Sequence, residues 1–278
     1  MSGFDAAWLA LRESADHRAQ NAALRDKVSA AFAEHEHVSI LDLACGSGSN
    51  LRGLATHLPK RQSWRLVDHD PQLLSAGRRA LRAWADCMDG DPPLTLRKGE
   101  RRLEVVFDEK DLSTFKGGLL EHGADLVTAA AFFDLVSKDW IARFCEELAC
   151  RRLPLYAILT YSGEEIWSSP HPADSAMLEA FRQHQLRDKG FGPAAGPKAT
   201  GFLADALKSH GYMVETAPSH WSLTGSDSGL IQTLADGIAA AVGETGLVSQ
   251  ANIKDWRKAR VDTTHCEIGH VDLFALPI

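Results

Sequence analysis

The sequence predicts an α/β protein built on one doubly wound, mostly parallel sheet with helices on both faces. Between residues 36 and 161, short apolar runs alternate with segments of helical periodicity. Parallel neighbours need a crossover, usually a helix, so this alternation favours a parallel sheet. Apolar residues make up 45% of the 278 residues, and neither a linker nor an internal repeat divides the chain. We therefore expect a single domain, 1–278, whose ligands bind at the carboxyl ends of the strands.

The elements follow in order from the N-terminus. Residues 1–35 carry apolar residues at mostly helical spacings, which predicts a cap of one or two amphipathic helices. Glycines end the next apolar run, and Pro59 stops the helix that follows. The predicted elements are a strand at Val38–Ala44, a helix at Ser49–His57, a strand at Trp64–Val67 and a helix at about Pro71–Ala85.

The rest of the chain completes the sheet and adds two insertions. Segments of irregular, glycine- and proline-containing sequence at 162–198 and 218–262 are too long for simple connectors and are predicted to form lids. Each holds helical pieces, at about Asp174–Arg187 and at Gly229–Val242 and Gln250–Arg260. The remaining predicted strands are Leu103–Phe107, Asp125–Ala130, Leu155–Thr160, Tyr212–Ala217 and His270–Leu276, with helices at Lys138–Ala149 and Thr200–His210.

The amino-acid composition limits the classes of partner that the protein is expected to bind. The net charge of −7 provides no general attraction to nucleic acid, so a small-molecule substrate is favoured. The apolar runs are shorter than the roughly 20 residues that span a bilayer. Asp5 and Glu13 stand where a signal peptide carries basic and then apolar residues, so we expect a cytoplasmic protein without a membrane partner. Five scattered cysteines form neither a disulfide framework nor a Cys-x-x-Cys metal site. The oligomeric state stays open.

The most informative motif is LDLACGSGSNL, from Leu41 to Leu51. A dinucleotide loop of the NAD type requires Gly-x-Gly-x-x-Gly, but the third glycine position here is Leu51. A phosphate loop of the ATPase kind requires a following Gly-Lys-Ser or Gly-Lys-Thr, which the chain lacks. The loop therefore favours a ligand without phosphates.

The segment Asp42-Leu-Ala-Cys-Gly46-Ser-Gly48 resembles the first motif of the class I S-adenosylmethionine-dependent methyltransferases. The resemblance implies a Rossmann-like, seven-stranded sheet with an antiparallel last strand and helical lid insertions. It implies S-adenosyl-L-methionine as the cofactor, with Asp42, Ala44, Gly46 and Gly48 around its amino-acid part and ribose. Asp42 would meet the ammonium group.

Further markers of that family follow in the right order. Asp68 ends the second strand, 20 residues past Gly48, where a carboxylate accepts the ribose hydroxyls, and His69 would lie beside the adenine. Asp111 and Leu112 would bind and cover the adenine. Ala130, within ADLVTAAAFFDLV, would line the sulfonium. Without the resemblance, these residues have other possible roles: Asp68 could cap the helix at Pro71, Asp111 could be a turn residue, and Cys45 could be a packing residue.

The methyl acceptor is less well specified. The Asn/Asp-Pro-Pro-Tyr stretch of enzymes that methylate planar nitrogens is absent, and Ala129–Phe133 occupies its place, which indicates an apolar wall that includes Phe133. A hydroxyl acceptor needs a base. The candidates are Asp134 and Tyr161 at strand ends, His184, and four further histidines, namely His171, His220, His265 and His270.

The segment FRQHQLRDKGFGP, from Phe181 to Pro193, predicts acceptor binding by Arg187, Asp188 and Lys189. The cations of Arg187 and Lys189 would suit an anionic acceptor. A charged surface helix is the alternative. WLALRESADHRAQNA is similar to the N-terminal helix of uncharacterised bacterial methyltransferases, which implies that Arg12 or Arg18 reaches the cofactor carboxylate. The expected activity is methyl transfer to an O- or N-nucleophile of a small molecule. An RNA or protein methyltransferase and a non-catalytic cofactor-binding protein remain alternatives.

Overall fold

A computed structural model describes residues 5–114, 118–120 and 123–278. Residues 1–4 of the predicted cap lie outside this range. The helices are α1 (Ala6–Ala19), α2 (Ala22–Ala31), α3 (Ser49–Leu54), α4 (Pro71–Trp84), α5 (Lys138–Cys150), α6 (Asp174–Gln185), α7 (Ala199–Ser209), α8 (Ser228–Thr245) and α9 (Gln250–Ala259). The strands are β1 (His37–Leu43), β2 (Arg61–Asp68), β3 (Cys87–Gly90), β4 (Leu94–Lys98), β5 (Arg101–Glu109), β6 (Leu126–Ala130), β7 (Leu155–Ser168), β8 (Tyr212–Pro218), β9 (Trp221–Thr224) and β10 (His265–Pro277).

One sheet carries all of these strands. Its order is β3-β4-β5-β2-β1-β6-β7-β10-β8, and β9 pairs with β10. The seven predicted strands are present, β1 is parallel to both β2 and β6, and β10 is antiparallel to β7 and β8. The predicted α/β fold class is thus confirmed. Strand order reverses between β1 and β6, so the carboxyl ends of these two strands frame the expected binding crevice.

The sequence prediction missed three strands and made several others too short, most of all β7 and β10. The β3–β4 hairpin extends the sheet beyond β5, and β9 adds a short edge against β10. β7 does not end at Thr160 but runs to Ser168, because the first part of β10, from His265 to Ile268, pairs with it there. The segment that follows Tyr161 therefore begins as a strand, and only the later part of 162–198 leaves the sheet.

Three apolar clusters hold the elements together. One packs α5 and α7 on one face of the sheet around Trp140 and Phe144, and another packs α2, α3 and α4 on the opposite face around Trp64. A third lies beneath α6, α8 and α9. In that cluster the buried Arg260 guanidinium lies over the rings of Trp167 and Trp256 and is paired with Asp174. Within the described residues, the helices are all too short or too polar to cross a membrane.

Candidate functional site

The glycine loop after β1 has a left-handed backbone at three positions. The φ angles are 50° at Ala44, 53° at Gly46 and 74° at Gly48. Glycine adopts this region freely, whereas alanine does so under strain, which is frequently concentrated at ligand sites. The loop is fixed to the end of β2, because Cys45 N donates to Val67 O at 3.0 Å and Gly46 N donates to Asp68 Oδ2 at 2.8 Å. Cys45 is buried, and burial raises its pKa, as expected of a packing residue.

Asp42 lies fully buried beneath this loop. Its Oδ1 accepts a hydrogen bond from Asn50 Nδ2 at 2.8 Å, and the same amide also donates to Thr128 Oγ1 at 3.0 Å. Asp42 Oδ2 has no partner within the described part of the chain. Burial raises the pKa of Asp42 to about 7, since the bond from Asn50 lowers it only in part and the nearby Asp68 raises it further. A cation at Oδ2 would relieve this cost.

Asp68 organises the loop rather than a helix terminus. Besides Gly46 N, its carboxylate accepts from Asp70 N at 3.0 Å. The alternative that Asp68 caps the helix at Pro71 is wrong, because Asp70 is the N-cap of α4 and accepts from Gln72 N. His69 follows with a largely exposed ring whose Nδ1 lies 3.4 Å from Asp68 Oδ1. Asp68 and His69 therefore lie together at the carboxyl end of β2.

The predicted adenine residues lie beyond the adjacent strand. Asp111 is exposed and accepts from Ser113 N at 2.8 Å, so it forms the turn that the alternative predicted. Hydrogen bonds with the Ser113 side chain and then with its backbone lower the pKa of Asp111. Leu112 is buried, and its carbonyl accepts from Trp140 Nε1 at 2.9 Å. Ala130 is partly buried at the end of β6, where the backbone of the next residue, Ala131, has a φ of 51°. These positions flank the crevice from both sides of β1 and β2.

Helix α1 covers the glycine loop. Arg52 joins the two, because its Nε donates to Glu13 at 2.6 Å and its Nη1 donates to Ser47 O at 2.8 Å. His17 contacts the Ser49 carbonyl at 3.0 Å. A Cβ placed on Gly46 would lie 2.8 Å from Leu9 Cδ1, so the helix rests directly on the loop. A ligand on this loop therefore requires α1 to move.

A second group of polar and aromatic side chains lies beyond the carboxyl end of β6 and along the middle of β7 and β10. This group, termed the acceptor cluster, consists of Arg12, Asp134, Tyr161, Trp221 and His270. The Arg12 guanidinium pairs with both oxygens of Asp16 at 2.9 to 3.2 Å and lies 4.9 Å from the centre of the Trp221 ring. Trp221 Nε1 also donates to Asp16 at 3.0 Å. Helix α1 thus closes this cluster as well as the glycine loop.

Asp134 is the carboxylate of the acceptor cluster. It is buried, and its Oδ1 has no partner in the described structure. Burial raises the pKa of Asp134 to about 6, and backbone amides of Asp134 and Tyr161 and the charge of Arg12 offset part of the rise. The Tyr161 hydroxyl donates to Glu165 at 2.9 Å, and burial raises its pKa strongly, so the phenol stays protonated.

Comparisons with solved structures support the fold. No family model and no curated protein matches the sequence. The YcgJ protein of Bacillus subtilis aligns over 92% of this chain and 99% of its own, with 8% identity and a TM-score of 0.50. The chain has the Rossmann-like fold of class I methyltransferases. A precorrin-6y C5,15-methyltransferase from Geobacter metallireducens has 13% identity and a TM-score of 0.45 over 91% of this chain and 86% of its own. The cyclopropane synthase MmaA2 of Mycobacterium tuberculosis has 11% identity and a TM-score of 0.45, over 91% and 83%.

On this fold, several residues predicted to contact the acceptor lie elsewhere. His184 Nε2 and Arg187 Nη1 both contact the exposed Glu244 at the end of α8, at 3.1 and 3.0 Å. They link α6 to α8 through this exposed carboxylate, and the half-buried His184 is engaged there rather than in a substrate site. Asp188 accepts from the N–H groups of Gly190 and Gly192 and closes its own loop. Lys189 is half-buried and close enough to Asp134 for the two charges to interact.

Phe133 and Arg18 also differ from the prediction. Phe133 is fully buried and packs against Phe132, Trp140 and Phe144, so it belongs to the core rather than to a substrate wall. Arg18 donates to Asp227 at 2.7 Å and anchors α1 to the start of α8.

The structure adds His270 to the site. Sequence reasoning ranked this histidine with the other candidate histidines, because its neighbour Tyr161 is more than 100 residues away and pairs with it across β7 and β10.

Proposed function

We propose that this protein binds S-adenosyl-L-methionine on the glycine loop and transfers its methyl group to an oxygen or nitrogen of a small molecule. The observation that carries the proposal is the unpartnered, buried Oδ2 of Asp42 beneath a left-handed loop that is fixed to Asp68. A buried carboxylate without a partner is costly unless a ligand pairs with it.

The residues fit the cofactor. Asp42 offers a negative oxygen to the ammonium group, and Gly46 and Gly48 adopt without strain the left-handed backbone that shapes the loop around a ligand. Asp68 ends β2, where it can accept from ribose hydroxyls with the lone pairs that Gly46 and Asp70 leave open. Two buried carboxylates beside one loop would repel a phosphate, which supports a ligand whose charged group is a cation.

The bound cofactor would supply a methyl group on a positively charged sulfur. The side chains of this chain would then do three things. They would orient the acceptor in the acceptor cluster, exclude water beneath α1, and remove the proton that a hydroxyl acceptor loses. Orientation and exclusion of water can account for much of the rate of such a displacement. Asp134 is the best-placed base, because its pKa of about 6 keeps it ionised at neutral pH and still basic enough to take a proton.

The cover formed by α1 supports a small acceptor. Three residues of this helix contact Trp221: the Arg12 guanidinium lies over its ring, Asp16 accepts from its Nε1, and the Trp8 ring centre lies 6.5 Å from its own. An RNA strand or a protein segment would need an open groove with basic residues, whereas this cluster is closed by one helix and carries both charge signs.

Transfer of tritium from S-adenosyl-L-[methyl-³H]methionine to a cell extract tests the proposal. Label should appear in the low-molecular-mass fraction with the wild type and should be lost with Asp134→Asn. His184→Ala, which removes only the contact between α6 and Glu244 of α8, is the control and should keep full transfer. Label in protein or RNA would favour the corresponding alternative. Cofactor binding without any transfer would indicate a non-catalytic binding protein.

A further inference from the structure

The Asn50 side chain joins helix α3 to two strands beneath the glycine loop. The residue is 4% exposed and follows Gly48 and Ser49 directly. Its Nδ2 donates to Asp42 Oδ1 of β1 at 2.8 Å and to Thr128 Oγ1 of β6 at 3.0 Å. Asp42 and Thr128 are paired in register across these two strands, whose carboxyl ends frame the crevice. One amide group thus spans the point at which the strand order reverses.

The partners of Asn50 determine the orientation of its amide. The hydroxyl of Thr128 donates its single hydrogen to Tyr156 O at 2.8 Å, so its oxygen can only accept from Asn50. The ionised carboxylate of Asp42 can likewise only accept. Both N–H groups of Asn50 Nδ2 are therefore in use, and exchange of the amide oxygen and nitrogen would place two acceptors against a third. The amide has one orientation that its neighbours can satisfy.

This network determines which oxygen of Asp42 is left for a ligand. Asp42 Oδ1 is occupied by Asn50, whereas Asp42 Oδ2 has no partner among the residues that the structure describes. A fixed donor on one oxygen also holds the carboxylate in one rotamer. Burial raises the pKa of Asp42 to about 7, and the hydrogen bond from Asn50 opposes that rise. Asn50 therefore favours both the orientation and the ionised form of this carboxylate.

The ionisable groups around Asp42 carry the same charge, are neutral or are engaged elsewhere. Asp68, at the end of β2, raises the pKa of Asp42 further. Cys45, on the loop, is a buried thiol whose pKa is raised well above its ordinary value, so it stays neutral. Arg52 of α3 and Glu13 of α1 are paired with each other, and β6 contains no ionisable side chain. The neutral amide on α3 is therefore the group that supports the ionised carboxylate.

We propose that Asn50 is a positioning residue for the cofactor: it holds the Asp42 carboxylate so that Oδ2 receives the ammonium group of S-adenosyl-L-methionine, and Thr128 holds Asn50 in turn. This inference rests on the proposed function. Asn50 acts through Asp42 and makes no bond to the cofactor. Without Asn50, the buried carboxylate would take up a proton more readily. A protonated carboxyl group binds an ammonium group more weakly than a carboxylate does.

Calorimetric titration with two ligands tests this role. S-adenosylhomocysteine carries the ammonium group, whereas 5′-methylthioadenosine has the same nucleoside and sulfur but lacks the ammonium and carboxylate groups. The ratio of the two affinities isolates the amino-acid part of the ligand from effects on the nucleoside. In the wild type this ratio should rise with pH and level off above about 7, as Asp42 loses its proton.

Asn50→Leu keeps the approximate volume of the side chain and removes the donor. The pH at which the ratio levels off should rise by at least about one unit, and the ratio at pH 7 should fall at least about fivefold. Thr128→Val removes only the second anchor of the amide, so it should move the profile in the same direction by less. Asn252→Leu, at an exposed position of α9, is the control and should keep the wild-type profile.

The outcomes separate the two claims. If S-adenosylhomocysteine does not bind the wild type, the proposed function fails and this inference fails with it. If it binds, and Asn50→Leu keeps the wild-type profile or weakens both ligands equally, only the role of Asn50 is overturned. Thermal unfolding shows whether Asn50→Leu is folded. If it is not, Thr128→Val decides in its place, and a wild-type profile in that variant overturns the inference.

Discussion

Replacement of Asp42 by Asn should stabilise the ligand-free protein and weaken cofactor binding. Asp42 is fully buried, and its pKa rises from 3.8 to about 7. The folded protein therefore holds this proton over a pH range in which the unfolded chain has lost it. Stability falls as pH rises from about 4 to about 7, and the full cost is present above the folded pKa.

The magnitude follows from the pKa shift. A rise from 3.8 to about 7 corresponds to about 4 kcal/mol of unfavourable free energy for the ionised, ligand-free folded state. Asn removes the charge, and its amide oxygen can still accept from Asn50. The new amide N–H lacks an assigned partner, which costs about 1 to 3 kcal/mol. The expected net gain in the free energy of unfolding is about 1 to 3 kcal/mol.

Urea unfolding and calorimetric titration check both halves of this prediction. At about pH 8, Asp42→Asn should show a higher urea midpoint than the wild type. Towards about pH 4, where Asp42 is protonated, the difference should shrink and reverse, because only the cost of the unpartnered amide N–H remains. The same variant should bind S-adenosylhomocysteine at least about tenfold more weakly, because the ammonium group of the ligand loses a charged partner. A variant that is less stable at the higher pH, or that keeps wild-type affinity, would refute the reasoning.

Three further predictions concern other parts of the site. Asp68→Ala should weaken S-adenosylhomocysteine binding at least about tenfold in calorimetry. The control Asp70→Ala, which removes only the α4 cap, should keep the wild-type affinity. If the two variants bind with equal affinity, Asp68 does not contact the cofactor. Methyl transfer to the acceptor found with the tritium assay should rise with pH around a midpoint near 6, as Asp134, which faces Arg12, Lys189 and Tyr161, loses its proton. A rate independent of pH in this range would exclude Asp134 as the base. Glu13→Gln should weaken the contact between α1 and Arg52 and so speed the association of S-adenosylhomocysteine, measured by stopped-flow fluorescence. Glu146→Gln, at an exposed position, is the control. An association rate of Glu13→Gln equal to that of the wild type would contradict the covering role of α1.

Local sequence signals predicted the elements that depend on short-range patterns. The apolar run before Asp42, the glycines at Gly46 and Gly48, and Asp68 after the next run placed the loop and the end of β2 correctly, because each signal lies within one strand-to-helix turn. The hairpin of β3 and β4 escaped prediction because β3 is wholly exposed and carries no apolar alternation.

Contacts between residues that are far apart in the sequence determine the rest of the site. His184 and Arg187 looked suitable for an acceptor from composition alone, but the packing of α6 on α8 supplies Glu244 as their partner. His270 acquires its setting from Tyr161 and Trp221, which reach it only when β10 pairs with β7 and β9. Phe133 stands next to Asp134 in the chain, yet its side chain enters the core while the carboxylate lies in the acceptor cluster. No local spacing distinguishes these outcomes.

Isothermal titration of the wild-type protein with S-adenosylhomocysteine tests the central claim most directly. The arrangement of Asp42, the glycine loop and Asp68 predicts saturable binding of one molecule per chain, with loss of affinity in Asp42→Asn. Absence of binding by the folded wild-type protein would contradict the assignment of this site to a sulfonium cofactor.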